Sequence, residues 1–388
     1  MITYETKQKE NLAEIISSSD DNLKICAEDI KNGKLVSFPT ETVYGLGANA
    51  LNIEAVMKIF EYKGRPLSDP LIVHVTSTEM ALSLVEIDNN TEELFYILSK
   101  KYWPGPLTII LKANYKVLNP IITANTGFVG LRHPNHEIAS KLINLSNLPI
   151  AAPSANKFCH ISPVNPYHVF EDFKEFPVKI IDGGISNYCM ESTVVKIDYE
   201  NKKLLIFRMG ALSPNELQSF LNSTSQFKNF VVDVISKKNG NKKTSNPPEN
   251  KEDFSQDQEA PGQFIKHYSP LLDTYIISEI EDDSSCKLEE QDFKTTVLID
   301  FNGKMIIKYG NIFGYYRDLS LSGSEDEVMH NLYDYLRWAE SLENAKKIVL
   351  CDLEIYMKEN NHLKTFVDRI NKASSSKKVS INKNKNYI

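Results

Sequence analysis

The sequence predicts an α/β protein of two successive domains, the second a smaller Rossmann-like open sheet. Three observations predict it. Short apolar runs alternate with helical patterns along most of the chain. One long polar break, Ser236 to Ala260, carries two prolines and mixed charge and cannot bury enough apolar area to offset the entropy of ordering it. The length, 388 residues, suits two domains of ordinary size.

Before the break, Leu35 to Phe38, Leu71 to Val75, Leu107 to Leu111, Ile150 to Ala152 and Thr193 to Ile197 read as buried strands. Between the first two lies a helix that Asn52 can cap, with Val56, Ile59 and Phe60 on one face. After the break, Pro261 to Pro270 is aromatic, basic and framed by prolines, as an ordered strap would be. Beyond it, Thr274 to Ser278, Thr296 to Asp300, Met305 to Tyr309 and Lys347 to Asp352 read as strands. An amphipathic helix over Glu325 to Leu342 carries Val328, Leu332, Tyr335, Leu336 and Trp338. No GxGxxG accompanies this second sheet, so dinucleotide binding is not indicated. The Lys-, Ser- and Asn-rich tail from Ser374 to Ile388 is expected to fray. The domains are therefore placed at 15–222 and 271–373, with the insert and strap over 223–270.

Composition sets limits on function. Apolar residues at 41% and charged residues at 24% are the balance of a soluble globular protein, and no apolar run is long enough for a membrane span. A net charge of −7 argues against a protein that coats nucleic acid. Five scattered cysteines without a CxxC pair argue against a disulfide framework or structural zinc, and the polar start carries no leader pattern. A cytoplasmic location is expected.

Polar residues gather where strands end. Phe38-Pro39-Thr40-Glu41-Thr42-Val43-Tyr44-Gly45-Leu46-Gly47 follows the first strand, and its glycines would let a ligand approach the backbone. A tight turn satisfied by its own Thr and Glu fits the same residues. Lys63 and Arg65, on the restrained loop Lys63-Gly64-Arg65-Pro66-Leu67-Ser68-Asp69-Pro70, could converge on a triphosphate or simply offset a helix dipole. His74 alternates with Val73 and Val75 and faces either a core or a ligand. Ala151-Ala152-Pro153-Ser154-Ala155-Asn156 leaves room beside uncharged donors and acceptors, as phosphate or adenosine contacts need, and equally makes a local turn. Arg132 could pair with a carboxylate. Glu191-Ser192-Thr193 and Arg208 supply further polar groups at strand ends. Cys159-His160 with Cys189 lacks the spacing for a tetrahedral metal site or a Cys/His nucleophile.

Together these pieces resemble the YrdC-type catalytic domain of the threonylcarbamoyl-AMP synthase family. Pro39 to Gly47, Lys63-Gly64-Arg65-Pro66, Pro70 to Val75, Trp103-Pro104-Gly105-Pro106-Leu107-Thr108 and Pro153-Ser154-Ala155-Asn156 occur in the family's order over Leu35 to Arg208. His267-Tyr268-Ser269-Pro270 resembles the strap of the long, two-domain form. Leu332 to Trp338 and Phe366-Val367-Asp368-Arg369 resemble a diverged version of its C-terminal domain. The resemblance implies a twisted mixed sheet followed by a Rossmann-like domain. It implies a synthase joining L-threonine, bicarbonate or CO2, and ATP, with Mg accompanying the ATP. The product would pass to a tRNA threonylcarbamoyltransferase, with weak tRNA or RNA binding alongside.

By the same resemblance, Lys63 and Arg65 would be catalytic and hold the phosphates. Asp69, Ser154, Asn156, Ser162, Arg208 and Tyr268 would complete the ATP site, without protein ligands dedicated to a metal. Thr42, His74, Arg132, Ala152 and Ser192 would surround threonine. Three departures stand out: Phe128 where the family usually has threonine, Phe158-Cys159-His160 where it often has Ser-Gly, and Gln263 to Lys266 in place of a more basic run. A hydrogenase-maturing carbamoyl-adenylate enzyme would need zinc-finger cysteines that this chain lacks. An RNA-binding module without catalysis would not need Lys63, Arg65, Ser154 and Asn156 intact.

Overall fold

Asn52 leaves an extended stretch, and its side chain accepts the backbone N–H of Ala55 at 3.1 Å. Such a cap stabilises a helix by about 1 kcal/mol. The helix it starts, α1 (Ile53–Lys63), buries Val56, Ile59 and Phe60 on one face, as their spacing predicts. Gly64 ends it in the left-handed conformation at φ 64°, which costs glycine nothing and turns Arg65 back toward the helix.

The structure, a computed structural model, describes residues 12–235, 260, 267–277 and 286–381. They form two compact units. The first comprises 12–157, 165–186, 191–235 and Ala260; the second comprises 158–164, 187–190, 267–277 and 286–381. The insert over 236–259 and the strap residues 261–266 lie outside the described residues. Among those described, no helix is long and apolar enough to cross a membrane.

The first unit is built on eleven strands. They are β1 (Glu14–Ser17), β2 (Val36–Phe38), β3 (Gly45–Asn49), β4 (Ile72–His74), β5 (Leu107–Lys112) and β6 (Phe128–Arg132). β7 (Ile150–Ala151), β8 (Lys179–Asp182), β9 (Thr193–Asp198), β10 (Lys203–Arg208) and β11 (Val231–Val234) complete it. Their order is β1-β8-β2-β3-β7-β4-β6-β5-β9-β10-β11. The sheet is mixed, since β4 pairs β6 in parallel while β5 pairs β6 antiparallel. All five expected strands are present. Leu46, Val56, Ile59, Val73, Ile109 and Leu131 belong to one apolar core. β3 lies so close to its neighbours that a Cβ on Gly47 would stand 2.6 Å from the Phe38 ring and 2.9 Å from Ile150.

The second unit is an open sheet of six parallel strands, as expected of a Rossmann-like domain. Its strands are β12 (Asp273–Ile277), β13 (Cys286–Leu288), β14 (Thr296–Asp300), β15 (Tyr315–Asp318), β16 (Lys347–Leu350) and β17 (Lys378–Ile381), in the order β13-β17-β12-β16-β14-β15. Two expectations are overturned here. Met305 to Tyr309 is not a strand but part of a helix, α2 (Lys304–Tyr309), because the Asp300 carboxylate accepts the N–H groups of Met305 and Ile306 at 3.0 Å and holds the first turn. The tail does not fray over Lys378–Ile381; it pairs on both edges, with β12 and β13. Residues 382–388 lie outside the described residues.

The long helix forms as expected, α3 (Glu325–Ser341), and buries Val328, Leu332 and Leu336. Tyr335 and Trp338 lie instead beneath the Arg317 guanidinium, which stands 4.7 and 4.1 Å from their ring centres. Residues 158–164 belong to this unit through α3: Arg337 donates to the Ile161 carbonyl, and His160 Nε2 meets Glu340 Oε2 at 2.9 Å. Cys189 Sγ lies 3.6 Å from His330 Nδ1.

Candidate functional site

Lys63 is the last residue of α1, and its ammonium is almost fully buried. It donates to the Ser154 carbonyl at 2.7 Å and the Asn156 carbonyl at 2.5 Å. The loop after β7 is held in turn by β3: Leu46 N donates to the Pro153 carbonyl and Ala155 N to the Tyr44 carbonyl. The Pro39–Gly47, Lys63 and Pro153–Asn156 segments thus meet at one end of the sheet, although more than ninety residues separate the first contact pair in sequence. Arg65 is buried too. Its guanidinium donates to the Asp69 and Pro70 carbonyls at 3.0 and 2.6 Å and pairs with Asp69 Oδ2 at 3.0 Å. Neither cation is the solvated helix-end charge that local chemistry also allowed.

A second polar group lies across β4 and β6. His74 and Arg132 are register partners on these parallel strands. Burial, reinforced by the Arg132 guanidinium, pushes the His74 imidazole down to about 3, so it is neutral near pH 7. Phe38 meets the His74 ring edge-on with centroids 6.0 Å apart. Ala152, on the neighbouring loop, donates its N–H to the Ile72 carbonyl at 2.9 Å.

Arg132 already has a carboxylate partner. Its Nη2 lies 2.7 Å from Glu41 Oε2, with both side chains no more than 5% exposed. Glu41 sits between Thr40 and Thr42, whose hydroxyl oxygens are 2.8 Å apart. Sequence reasoning gave Glu41 only a local turn role; the available signal was a carboxylate inside an otherwise small and apolar run.

Farther along the sheet, Ser192 precedes β9 and Arg208 ends β10. The Arg208 Nη2 donates to the Ser192 hydroxyl at 3.0 Å, and that hydroxyl meets Thr108 Oγ1 at 2.8 Å. Thr108 also went unassigned in the sequence. Phe128 carries Lys196 Nζ 3.6 Å from its ring centre, and Thr126 Oγ1 donates to the Thr123 carbonyl at 2.7 Å. Ser162 and Tyr268 are buried residues of the second unit. Tyr268 stacks on Tyr333 at 5.6 Å, beneath Arg369.

Buried cations on carbonyls, small residues at strand ends and a buried arginine–carboxylate pair gather on the large mixed sheet of an α/β protein, where ligands of such sheets are bound. Comparison with known proteins narrows this. Residues 28–210 match the family model described as "Telomere recombination", and 213–375 match "Threonylcarbamoyl-AMP synthase, C-terminal domain". The chain is 40% identical over 269 residues to the threonylcarbamoyl-AMP synthase of Pyrococcus abyssi, covering 69% of this chain and 71% of that one. It is 39% identical over 206 residues to the Bacillus subtilis protein of the same name, covering 53% and 58%. The crystal structure of P. abyssi Sua5 complexed with L-threonine superposes with a TM-score of 0.76 at 29% identity, covering 96% of this chain and all of that one. The chain belongs to the threonylcarbamoyl-AMP synthase family, in its two-domain form.

Proposed function

We propose that this protein is a nucleotidyltransferase that makes L-threonylcarbamoyladenylate and pyrophosphate from L-threonine, bicarbonate or CO2, and ATP. The observation that carries the reading is two separate buried groups of basic residues, Lys63 on the Ser154 and Asn156 carbonyls with Arg65 paired to Asp69, and Arg132 paired to Glu41 beside a neutral His74. One suits polyphosphate; the other suits a single carboxylate.

Lys63 and Arg65 would hold the phosphates, with Asp69 fixing the Arg65 fork. Ser154, Asn156 and Arg208 would complete the nucleotide site within the first unit. Thr42, His74, Arg132, Ala152 and Ser192 would enclose threonine, with Arg132 on its carboxylate. The neutral His74 serves as a hydrogen-bonding wall and not as an acid. Threonine binds as its ammonium and reacts as the free amine after losing a proton to solvent. The amine nitrogen bonds to the carbon of CO2 and gives up a second proton to solvent, leaving a carbamate whose oxygen attacks the α-phosphorus as the bond to pyrophosphate breaks. Lys63 and Arg65 oppose the charge on the leaving group, so catalysis rests on positioning and charge stabilisation.

Magnesium fits as a passenger of ATP. Lys63 meets the neutral carbonyl oxygens of Ser154 and Asn156, and the Asp69 carboxylate pairs with Arg65, which suits an ion that arrives on the triphosphate. The product would pass to a tRNA threonylcarbamoyltransferase in the cytoplasm, with weak tRNA or RNA binding alongside. The test is pyrophosphate release from ATP, which should require threonine and bicarbonate together and yield a threonylcarbamoyl-AMP mass. Turnover with carbamoyl phosphate in their place contradicts the reading.

A further inference from the structure

Glu41 has no role in the reaction as described so far. Its carboxylate nevertheless occupies the guanidinium to which the threonine carboxylate is assigned. The contact is an imperfect one. Neither Glu41 oxygen, nor Arg132 Nη2, makes a hydrogen bond of ordinary geometry within the described residues, and Arg132 Nε reaches the Gly105 carbonyl only at 3.4 Å. Two buried charges neutralise each other while their directional bonding capacity is left over.

The backbone aims Glu41 there. The Thr40 hydroxyl accepts from Thr42 N and Val43 N at 3.2 and 3.3 Å and donates to the Val43 carbonyl at 2.7 Å, closing a turn around Glu41. His133 and His136 lie within reach of the Glu41 charge; burial lowers both imidazoles, and Glu41 opposes that shift. His74, next to Arg132, is neutral. Glu41 and Arg132 therefore form a small neutral charge pair at this end of β6.

An α-amino acid is itself such a pair, with a carboxylate and an ammonium on one carbon. If Arg132 takes the carboxylate, the ammonium is carried into the same buried region, where an unmatched cation is strongly disfavoured. Glu41 is the carboxylate already in contact with Arg132. A zwitterion set against the pair keeps the region neutral and gives all four charged groups hydrogen-bonding partners. We propose that Glu41 and Arg132 together form a zwitterion receptor in which Glu41 binds the α-ammonium of threonine. This rests on the assignment of Arg132 to the carboxylate. It makes Glu41 the residue that selects amino acids over hydroxy acids.

The test is calorimetric titration of the full chain with L-threonine and with 3-hydroxybutanoate, which keeps the carboxylate and hydroxyl but lacks the ammonium. Wild type should prefer threonine by about 30-fold or more, and Glu41→Gln should reduce that preference to about 3-fold or less, the scale of one charge-assisted bond. An unchanged preference overturns the proposal, because a merely structural role weakens both ligands alike. Tighter threonine binding by Glu41→Gln also overturns it, since Glu41 would then only compete for Arg132. If Glu41→Gln does not fold, Glu41→Asp replaces it: the retained charge should keep a preference above about 10-fold, and loss of the preference there is equally fatal. Arg132→Gln separates the two levels. Undiminished binding of both ligands refutes the Arg132 assignment and the proposal with it. Loss of both, with the preference intact in Glu41→Gln, refutes the role of Glu41 alone.

Discussion

Arg208 holds Ser192 at two points, with its guanidinium 3.1 and 3.2 Å from the serine carbonyl and 3.0 Å from the hydroxyl. The register of β10 against β9 shifts between Ile206 and Arg208, which sets the arginine opposite the segment leading into β9. A residue assigned to ATP therefore fixes one assigned to threonine. Arg208→Lys replaces a planar fork by a point charge that cannot serve both acceptors. It should raise KM for threonine and for ATP together, each by about 10-fold. Steady-state kinetics with each substrate varied in turn check this, and a change confined to ATP contradicts the coupling.

Lys63→Ala should lower pyrophosphate release by about 100-fold or more, the scale of losing one preorganised charge at a reacting phosphate. Circular dichroism should still report a folded chain. Wild-type turnover in this variant, or in Arg65→Ala, would refute the phosphate assignment.

His74 gives stability a defined pH dependence. Its folded value of about 3 lies below the ordinary 6.5, so between these values the unfolded chain binds a proton that the folded chain excludes. The contribution is complete above pH 6.5 and is lost on acidification toward 3. The slope is at most about 1.4 kcal/mol per pH unit. Urea melts between pH 6.5 and 5 should show wild type losing about 1.6 kcal/mol more than His74→Gln.

Gly210 follows Arg208 by two residues, and a Cβ there would stand 2.3 Å from the Glu191 carbonyl oxygen and 2.5 Å from the Ser192 carbonyl carbon. Both obstacles are backbone. Gly210→Ala should therefore cost about 2–4 kcal/mol in denaturant melts. Activity should fall with it, because Ser192 must move.

The fold was legible wherever the apolar runs were flanked by clear stops. Leu107 to Leu111 and Thr296 to Asp300 became strands with little change at their ends, and Asn52 and Gly64 bounded α1. Met305 to Tyr309 was misread because a short apolar run does not distinguish strand from helix; the Asp300 carboxylate, five residues earlier, decided it. The last strand was missed because Lys, Ser and Asn composition outweighed the alternation of Val379 and Ile381, both buried. At the site, Lys63 and Arg65 stood out on the restrained loop after a helix, and Arg132 and Ser192 as polar groups at strand ends. The partners that hold them did not: the Ser154 and Asn156 carbonyls, Glu41 and Thr108 lie far away in sequence, and a carbonyl carries no side-chain signature.

The place of β17 has a consequence for how the protein is made. It is the last strand of the second sheet in sequence, yet it lies between β12 and β13, the first two. While the chain is being synthesised, β12 has an open edge and β13 has no neighbour until Ile381 has left the ribosome. The first unit can complete its own sheet long before that. A nascent chain thus holds one finished sheet and one waiting edge, and the waiting edge is where chaperones or misassembly with another nascent chain would act.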